Sequence, residues 1–416
     1  MMKKSKKLPA DFTLFLATIA LFAIGILIVF DASFARAGDM RMTGNDSWYF
    51  VKRQLAFGAV GLIGMYAMMR IRLETVRKWT LPILLVSLVL LVAVMVPGVG
   101  KRANGAVRWL GYGPLRFQPS ELAKFAVILY LASALAGQKF RIRRLGSGVL
   151  LHVAVVGLMA GLVLVEPDMG TASVIVLNAF IMLVAGGALK RHLLGLSVVG
   201  VLGATLLVFV EPYRLKRLVT FLHPMRDYFG DGYQIVHSLV ALASGGLVGQ
   251  GLGEGREKFY LPAAHTDFIL ATLGEEAGLI GTLAILTLFL IFTYRGLSIA
   301  HHAKSPYYTL LATGLTAMIS SQALINIAVV TSSMPATGVP LPFLSYGGTA
   351  LLFALMASGL LINISQNMNA TMGASSEDLD EDHTHRRRDR RAHISGSQHG
   401  GGASDRRTGS RTAVRR

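Results

Sequence analysis

The sequence contains no cysteine, which excludes disulfides, thiolate-bound metals, iron–sulfur clusters and cysteine nucleophiles. Charge is scarce as well: Asp, Glu, Lys and Arg make up 15% of the chain, where a soluble domain carries about a quarter. Acids are the scarcer sign, 23 against 41 lysines and arginines, giving a net charge of +18. The basic excess lies between apolar runs, so it does not read as a nucleic-acid surface. Apolar residues are what the chain has in plenty: 53% of 416, with 45 glycines that suit close helix packing in lipid. This is the composition of an all-α polytopic membrane protein.

A membrane helix needs about 20 mostly apolar residues. Ten runs meet that need: 12–30, 54–69, 81–96, 122–137, 149–166, 172–188, 193–210, 269–293, 307–330 and 347–364. The expected organisation is a basic N-terminus (1–11), a ten-helix membrane domain (12–364) and a tail (365–416). The first run follows Lys3, Lys4, Lys6 and Lys7. It is longer than a signal-peptide core of about 7–15 residues, so it reads as an uncleaved anchor. On one face the short loops carry sixteen lysines and arginines, in clusters at 3–7, 70–78, 139–144, 190–191 and 295–304; the other face carries eight. The richer face is therefore cytoplasmic, and both termini lie there.

Residues 211–268 form a long extracytoplasmic loop between helices 7 and 8. Its apolar stretch Tyr233–Val248 has a helix-period face, which fits either a segment lying on the membrane or an ordinary amphipathic connector. The tail runs from an acidic block at 377–382 into Arg386–Arg391. It cannot bury enough apolar surface to order itself, and its histidines read as solvated rather than as metal ligands.

Charges in or beside membrane spans are costly and point to function. Glu121 and Lys124 follow Gln118-Pro119-Ser120, one face of a helix apart. They read as a pair lining a polar cavity, or as a helix-start acid with a structural partner. Arg108 and Trp109, in the loop 98–113, suit a phosphate or a sugar, and equally an interfacial anchor. Prolines stop the helices at Glu166-Pro167-Asp168 and Glu211-Pro212. Glu211 reads as an interfacial cap, and Asp168 stays open between cap and site. The Gly-rich run 245–258 brings Arg256 and Lys258; its glycines allow backbone to approach an anion, but the spacing matches no nucleotide fingerprint. The densest cluster is His265-Thr266-Asp267-Phe268, with Glu275-Glu276 two turns on. Asp267 is either a helix N-cap or a carboxylate at the membrane mouth. Pro335, Pro340 and Pro342 then force a broken connection through Ser345 into the last span.

At these residues the sequence resembles the FtsW/RodA/SpoVE (SEDS) family, over about 12–364. The blocks that carry the resemblance are Asn104–Trp109, Gln118–Lys124, His265–Phe268 with Glu275-Glu276, and Pro340–Gly348. Tyr213–Arg217 and Lys258–Pro262 look more like the division branch than the elongation branch. The resemblance implies a peptidoglycan glycosyltransferase that polymerises lipid II by inverting displacement of undecaprenyl pyrophosphate. It implies Asp267 as the catalytic carboxylate and Glu121, Lys124, Arg108, Trp109, Arg256, Lys258, His265, Glu275 and Ser345 as substrate or cavity residues. A divalent cation (Mg or Mn), a class B penicillin-binding protein, other division proteins and a place at the septal cell membrane are implied likewise; metal ligands are not assigned. Rival readings are an elongation polymerase, a lipid II flippase and a non-catalytic division scaffold. Ala263 departs from the family, which usually has Glu there, and this puts more weight on Asp267.

Overall fold

The computed structural model describes residues 9–39, 44–103, 106–112, 115–137, 145–230, 232–262 and 264–368. The basic N-terminus, the cluster at 139–144, Asn104, Ala263 and the tail beyond 368 lie outside the described residues. Each expected span falls on a helix. In order these are α1 (Phe12–Asp39), α2 (Tyr49–Arg70), α3 (Leu73–Met95), α4 (Pro119–Ala136), α5 (Leu151–Val165), α6 (Met169–Ala185) and α7 (Lys190–Val210), then α10 (Ile269–His302), α11 (Pro306–Val330) and α12 (Gly348–Asn367). Eight of them are long and apolar enough to cross a membrane. α6 is shorter, at 17 residues.

Three features go beyond the sequence reading. First, three strands pair as an antiparallel sheet in the order β1 (Lys101–Ala103), β2 (Ala106–Tyr112) and β3 (Leu115–Phe117). Second, the long loop is largely helical: α8 (Pro212–Leu222), α9 (Tyr233–Gly245) and 3-10 turns at Pro224–Asp227 and Glu257–Phe259. α9 accounts for the apolar face expected at 233–248. Third, α10 is broken at Gly278, whose φ of 65° and ψ of −164° leave the helical region.

α4, α11 and α12 form the buried middle, whereas α7 buries none of its apolar side chains fully and exposes most of them, as a lipid-facing helix should. Polar residues tie the bundle together where helix ends leave carbonyls without partners. Asn363 on α12 donates to the carbonyls of Met68 and Ile71 at the end of α2, at 2.6 and 2.7 Å. At the start of α1, Asp11 caps the helix by accepting from Leu14 N–H at 3.0 Å and pairs with Arg295 of α10 at 2.5 Å. Pro119, Pro212 and Pro306 each open a helix, where a missing N–H costs nothing.

Candidate active site

The chain running into α10 and the broken chain before α12 are laced together, and the lacing places Asp267. Tyr346 N–H donates to the His265 carbonyl at 2.9 Å, and Ser345 Oγ donates to the Thr266 carbonyl at 2.7 Å. Asn326, buried on α11, donates to the carbonyls of Asp267 (2.7 Å) and Val339 (2.9 Å). Every backbone carbonyl from 265 to 267 is thus held by a neighbour. This leaves the Asp267 side chain as the variable part, and it faces a cavity of about 490 Å³.

Four residues expected at the site line that cavity: Arg108, Trp109, Glu121 and Asp267. Lys124 is behind the wall. Its ammonium pairs with Glu121 at 2.8 Å and donates to Gln322 Oε1 at 2.9 Å, with both charged side chains buried. A buried charge pair needs such extra hydrogen bonds to offset its desolvation. β2 carries Arg108 across the cavity rim. Its Nε donates to the Glu166 carbonyl at 3.0 Å, another nitrogen to the Pro167 carbonyl, and Nη1 lies 3.9 Å from Asp168.

Asp168 is both a cap and a cavity residue. Oδ1 accepts from Thr171 N–H at 3.1 Å, at the start of α6, and Oδ2 accepts from Thr171 Oγ1 and from Gln118 Nε2 at 3.0 and 3.2 Å. Arg217 on α8 also reaches the cavity, donating to the Ala336 carbonyl at 2.8 Å. Sequence reasoning did not select Gln118, Arg217 or Asn326. Gln118 and Arg217 do fall within the blocks 118–124 and 213–217 that carry the resemblance.

The other expected site residues are elsewhere. His265 packs its ring 4.4 Å from Phe50, and Ser345 closes its own turn by accepting from Leu341 N–H at 2.8 Å. Lys258 is buried away from the cavity, bonded to Asp31 (2.8 and 3.0 Å), Glu276 (2.7 Å) and the Gly253 carbonyl (3.0 Å). Glu275 accepts the N–H groups of Arg256 and Glu257 at 2.8 to 3.2 Å, and the Arg256 side chain is exposed.

The Gly-rich run mends α10. The break at Gly278 leaves carbonyls and N–H groups of α10 without helical partners. Gln250 and Gly251 N–H donate to the carbonyls of Glu275 and Glu276, both at 3.0 Å. Leu279 and Ile280 N–H donate to the carbonyls of Gly246 and Leu247, at 3.0 and 3.1 Å. The approach is so close that a Cβ on Gly278 would lie 2.3 Å from Gly249 N.

Charge around the cavity sets the chemistry. Burial, and then the negative charge of Asp168, push the Asp267 carboxyl up to about 6, against the opposing pull of Arg217 and Arg108. A carboxylate in that range is ionised at neutral pH yet basic enough to take a proton. Glu166, just past α5, is 2% exposed, and neither side-chain oxygen has a hydrogen-bond partner among the described residues. Burial, with a smaller push from Asp168 and against Arg108, raises it to about 8, so it is largely protonated at neutral pH. No group of three or more His, Asp or Glu among the described residues is placed to hold a metal ion. Asp168, the acid nearest in effect to Asp267, already gives both oxygens to Thr171 and Gln118.

A model of the FtsW/RodA/SpoVE family, described as cell cycle protein, matches residues 12–370. The probable peptidoglycan glycosyltransferase FtsW of Trichlorobacter lovleyi is 43% identical over 359 residues, covering 86% of this chain and 93% of that one. Stage V sporulation protein E of Bacillus subtilis is 41% identical over 363 residues, covering 87% and 98%. Among solved structures, a chain of a peptidoglycan synthase complex studied for the coordination of polymerization and crosslinking superposes with a TM-score of 0.71. It is 28% identical, with 87% of this chain and 99% of that one covered. The rod shape determining protein RodA of Thermus thermophilus gives a TM-score of 0.65 at 27% identity, covering 86% and 98%. A membrane fold, a laced carboxylate at a polar cavity and matches across nearly the whole described chain agree: the protein belongs to the FtsW/RodA/SpoVE family.

Proposed function

We propose that this protein is a peptidoglycan glycosyltransferase that polymerises lipid II for cell division. The carrying observation is Asp267, a carboxylate at the wall of a polar cavity that Arg108 and Arg217 also line. Relatives named as FtsW glycosyltransferases support the substrate and the division role. A sugar hydroxyl of one lipid-linked disaccharide attacks the anomeric carbon of another, with inversion. The carbon–oxygen bond to undecaprenyl pyrophosphate breaks, the pyrophosphate keeps the electron pair, and the hydroxyl proton passes to Asp267. Arginine donors stabilise the charge that builds on the leaving group. With Lys258 tied to Asp31 and Glu276, that task falls to Arg108 and Arg217. A divalent cation is assigned no step.

The purified full chain in liposomes tests this reading. Glycan polymer made from lipid II with no other enzyme supports it. Headgroup translocation without polymer makes the protein a transporter, and neither activity makes it a scaffold.

The protein sits in the cytoplasmic membrane, at the septum, with both termini inside, on the strength of its basic loops and its relatives. A class B penicillin-binding protein is its partner, by analogy with the synthase complex it resembles. In this cysteine-free chain, single cysteines at Ser5 and Phe229 read the orientation. An impermeant reagent applied to intact cells labels position 229 and not position 5; the reverse overturns it.

A further inference from the structure

The cavity wall next to Asp267 is a strap, residues 336–340 of the broken connection before α12, and it is held at three places. Arg217 donates to the Ala336 carbonyl at 2.8 Å. Gly170, in the first turn of α6, backs the strap so closely that a Cβ there would lie 2.6 Å from the Thr337 carbonyl oxygen. Asn326 donates to the Val339 carbonyl at 2.9 Å. Thr337, Gly338 and Pro340 line the cavity from this strap. Gly338, with a φ of 74°, lies beside the base: a Cβ on it would sit 3.6 Å from Asp267 Oδ2. Having no side chain there leaves a gap between strap and carboxylate.

The Asn326 amide spans both sides of that gap. The nitrogen that holds Val339 also donates to the Asp267 carbonyl, at 2.7 Å. Asn326 is 1% exposed, and its Oδ1 has no hydrogen-bond partner among the described residues. Both partners are carbonyls, so the nitrogen must face them, and a buried acceptor is left over as the cost of that orientation. Two N–H bonds diverging from one nitrogen on so short a side chain are peculiar to asparagine. Ionised Asp has no donor, and Ser and Thr have one.

We propose that Asn326 is a positioning residue for glycosyl transfer: it yokes Asp267 to Val339 and so fixes the gap beside Gly338 in which the attacking sugar hydroxyl meets the carboxylate. The proposal rests on the glycosyltransferase reading above. A base must come within about 2.6–3.2 Å of the oxygen whose proton it takes. A misplacement of about 1 Å can cost roughly 10²-fold in rate. Tied to one nitrogen, the base and the facing strap keep their spacing; untied, each follows its own segment. The arginines that stabilise the leaving group stand on β2 and α8, so losing the yoke falls on turnover and spares substrate binding.

Steady-state polymerisation by the purified full chain in liposomes, at varied lipid II, tests the yoke. Asn326→Ala removes both donors and is expected to lower kcat by about 10²-fold with KM for lipid II unchanged. Its pH profile carries a second readout. A loosened Asp267 gains water, so the burial that lifts its carboxyl to about 6 is relieved, while Asp168, Arg108 and Arg217 still act on it. The acidic limb of the rate therefore moves to lower pH. A merely structural role reduces the amount of active enzyme and leaves the limb in place. An unmoved limb, or a loss expressed in KM alone, overturns the proposal. Because Asn326 is buried and its truncation risks the fold, Asn326→Ser, which keeps one donor on a shorter arm, is the second variant. It is expected to show the same two changes in smaller measure; a folded Ser variant with parental kcat and limb overturns the proposal. Absence of polymer from the parent chain defeats the glycosyltransferase reading itself. Polymer from the parent, with both variants keeping the parental limb, defeats the yoke alone.

Discussion

Two groups of charged residues lie close to Asp267 in sequence or in space, and they are built to opposite ends. Around Lys258, all three ammonium protons have protein acceptors on Asp31, Glu276 and Gly253, and the Glu275 carboxylate is taken up by two backbone N–H groups. Around the large cavity, the Asp267 carboxylate borders open space, and the backbone rather than the side chain holds Asp267 in place. Both groups are rich in charge and near glycine. The first makes structure and the second is available to a ligand. Charge beside a membrane signals function only where hydrogen-bonding capacity is left over for something outside the protein.

The contrast can be broken at several points. Asp267→Asn removes the base but keeps the size and the backbone lacing, so polymerisation should fall by about 10²–10⁴-fold with normal folding. In the parent, the rate at limiting lipid II should drop about tenfold per pH unit below the carboxyl's pKa of about 6, because only the ionised form accepts a proton. A parental rate in the Asn variant would move Asp267 into the structural group. Lys258→Met should do the reverse. It leaves Asp31 and Glu276 without their cation and costs about 3–5 kcal/mol of stability, the usual penalty for breaking a buried pair. Thermal unfolding in detergent reads this; a loss of activity with undiminished stability would place Lys258 among the ligand-facing residues.

Gly278→Ala forces a side chain into a left-handed φ and against Gly249, with about 1–3 kcal/mol lost to backbone strain alone. Unfolding measurements that found no loss would mean the mended helix is not rigid. Glu166→Gln is expected to show itself only as a change in the pH dependence of stability. A carboxyl raised from 4.5 to about 8 binds its proton more tightly folded than unfolded. It therefore supports folding fully at low pH, and that support is lost as pH climbs from about 4.5 to 8. The Gln variant should lack this part of the pH slope, and an unaltered slope would show that Glu166 is not buried as a neutral acid.

The helices were legible because each is an apolar run of membrane length, and Asp267 was legible as an acid at the mouth of one. The sheet at 101–117 was not, since two of its strands are three residues long and carry no clear alternation. α1 runs on to Asp39 through Arg36, where apolar character ends but helical hydrogen bonding does not. Arg256 and Lys258 were grouped with Asp267 because they precede it by only a few residues; the chain between turns them away. Arg217 and Asn326 reach the site from about 50 and 60 residues away, on α8 and α11, and no local pattern marks such long-range contacts. Asp168 was visible as a possible cap, and the structure shows it capping while it lines the cavity.

The repair of α10 by residues 246–251 has a consequence for recombining relatives of this protein. A chimera joined at Ile269, where the helix begins by eye, would take the four mending hydrogen bonds from two different parents. Their geometry depends on glycine at 249 facing glycine at 278, so mismatched halves would meet with side chains where there is no room. The natural crossover points lie before Gly245 and after Ile280, which makes the loop, Asp267 and the first three turns of α10 one inherited piece.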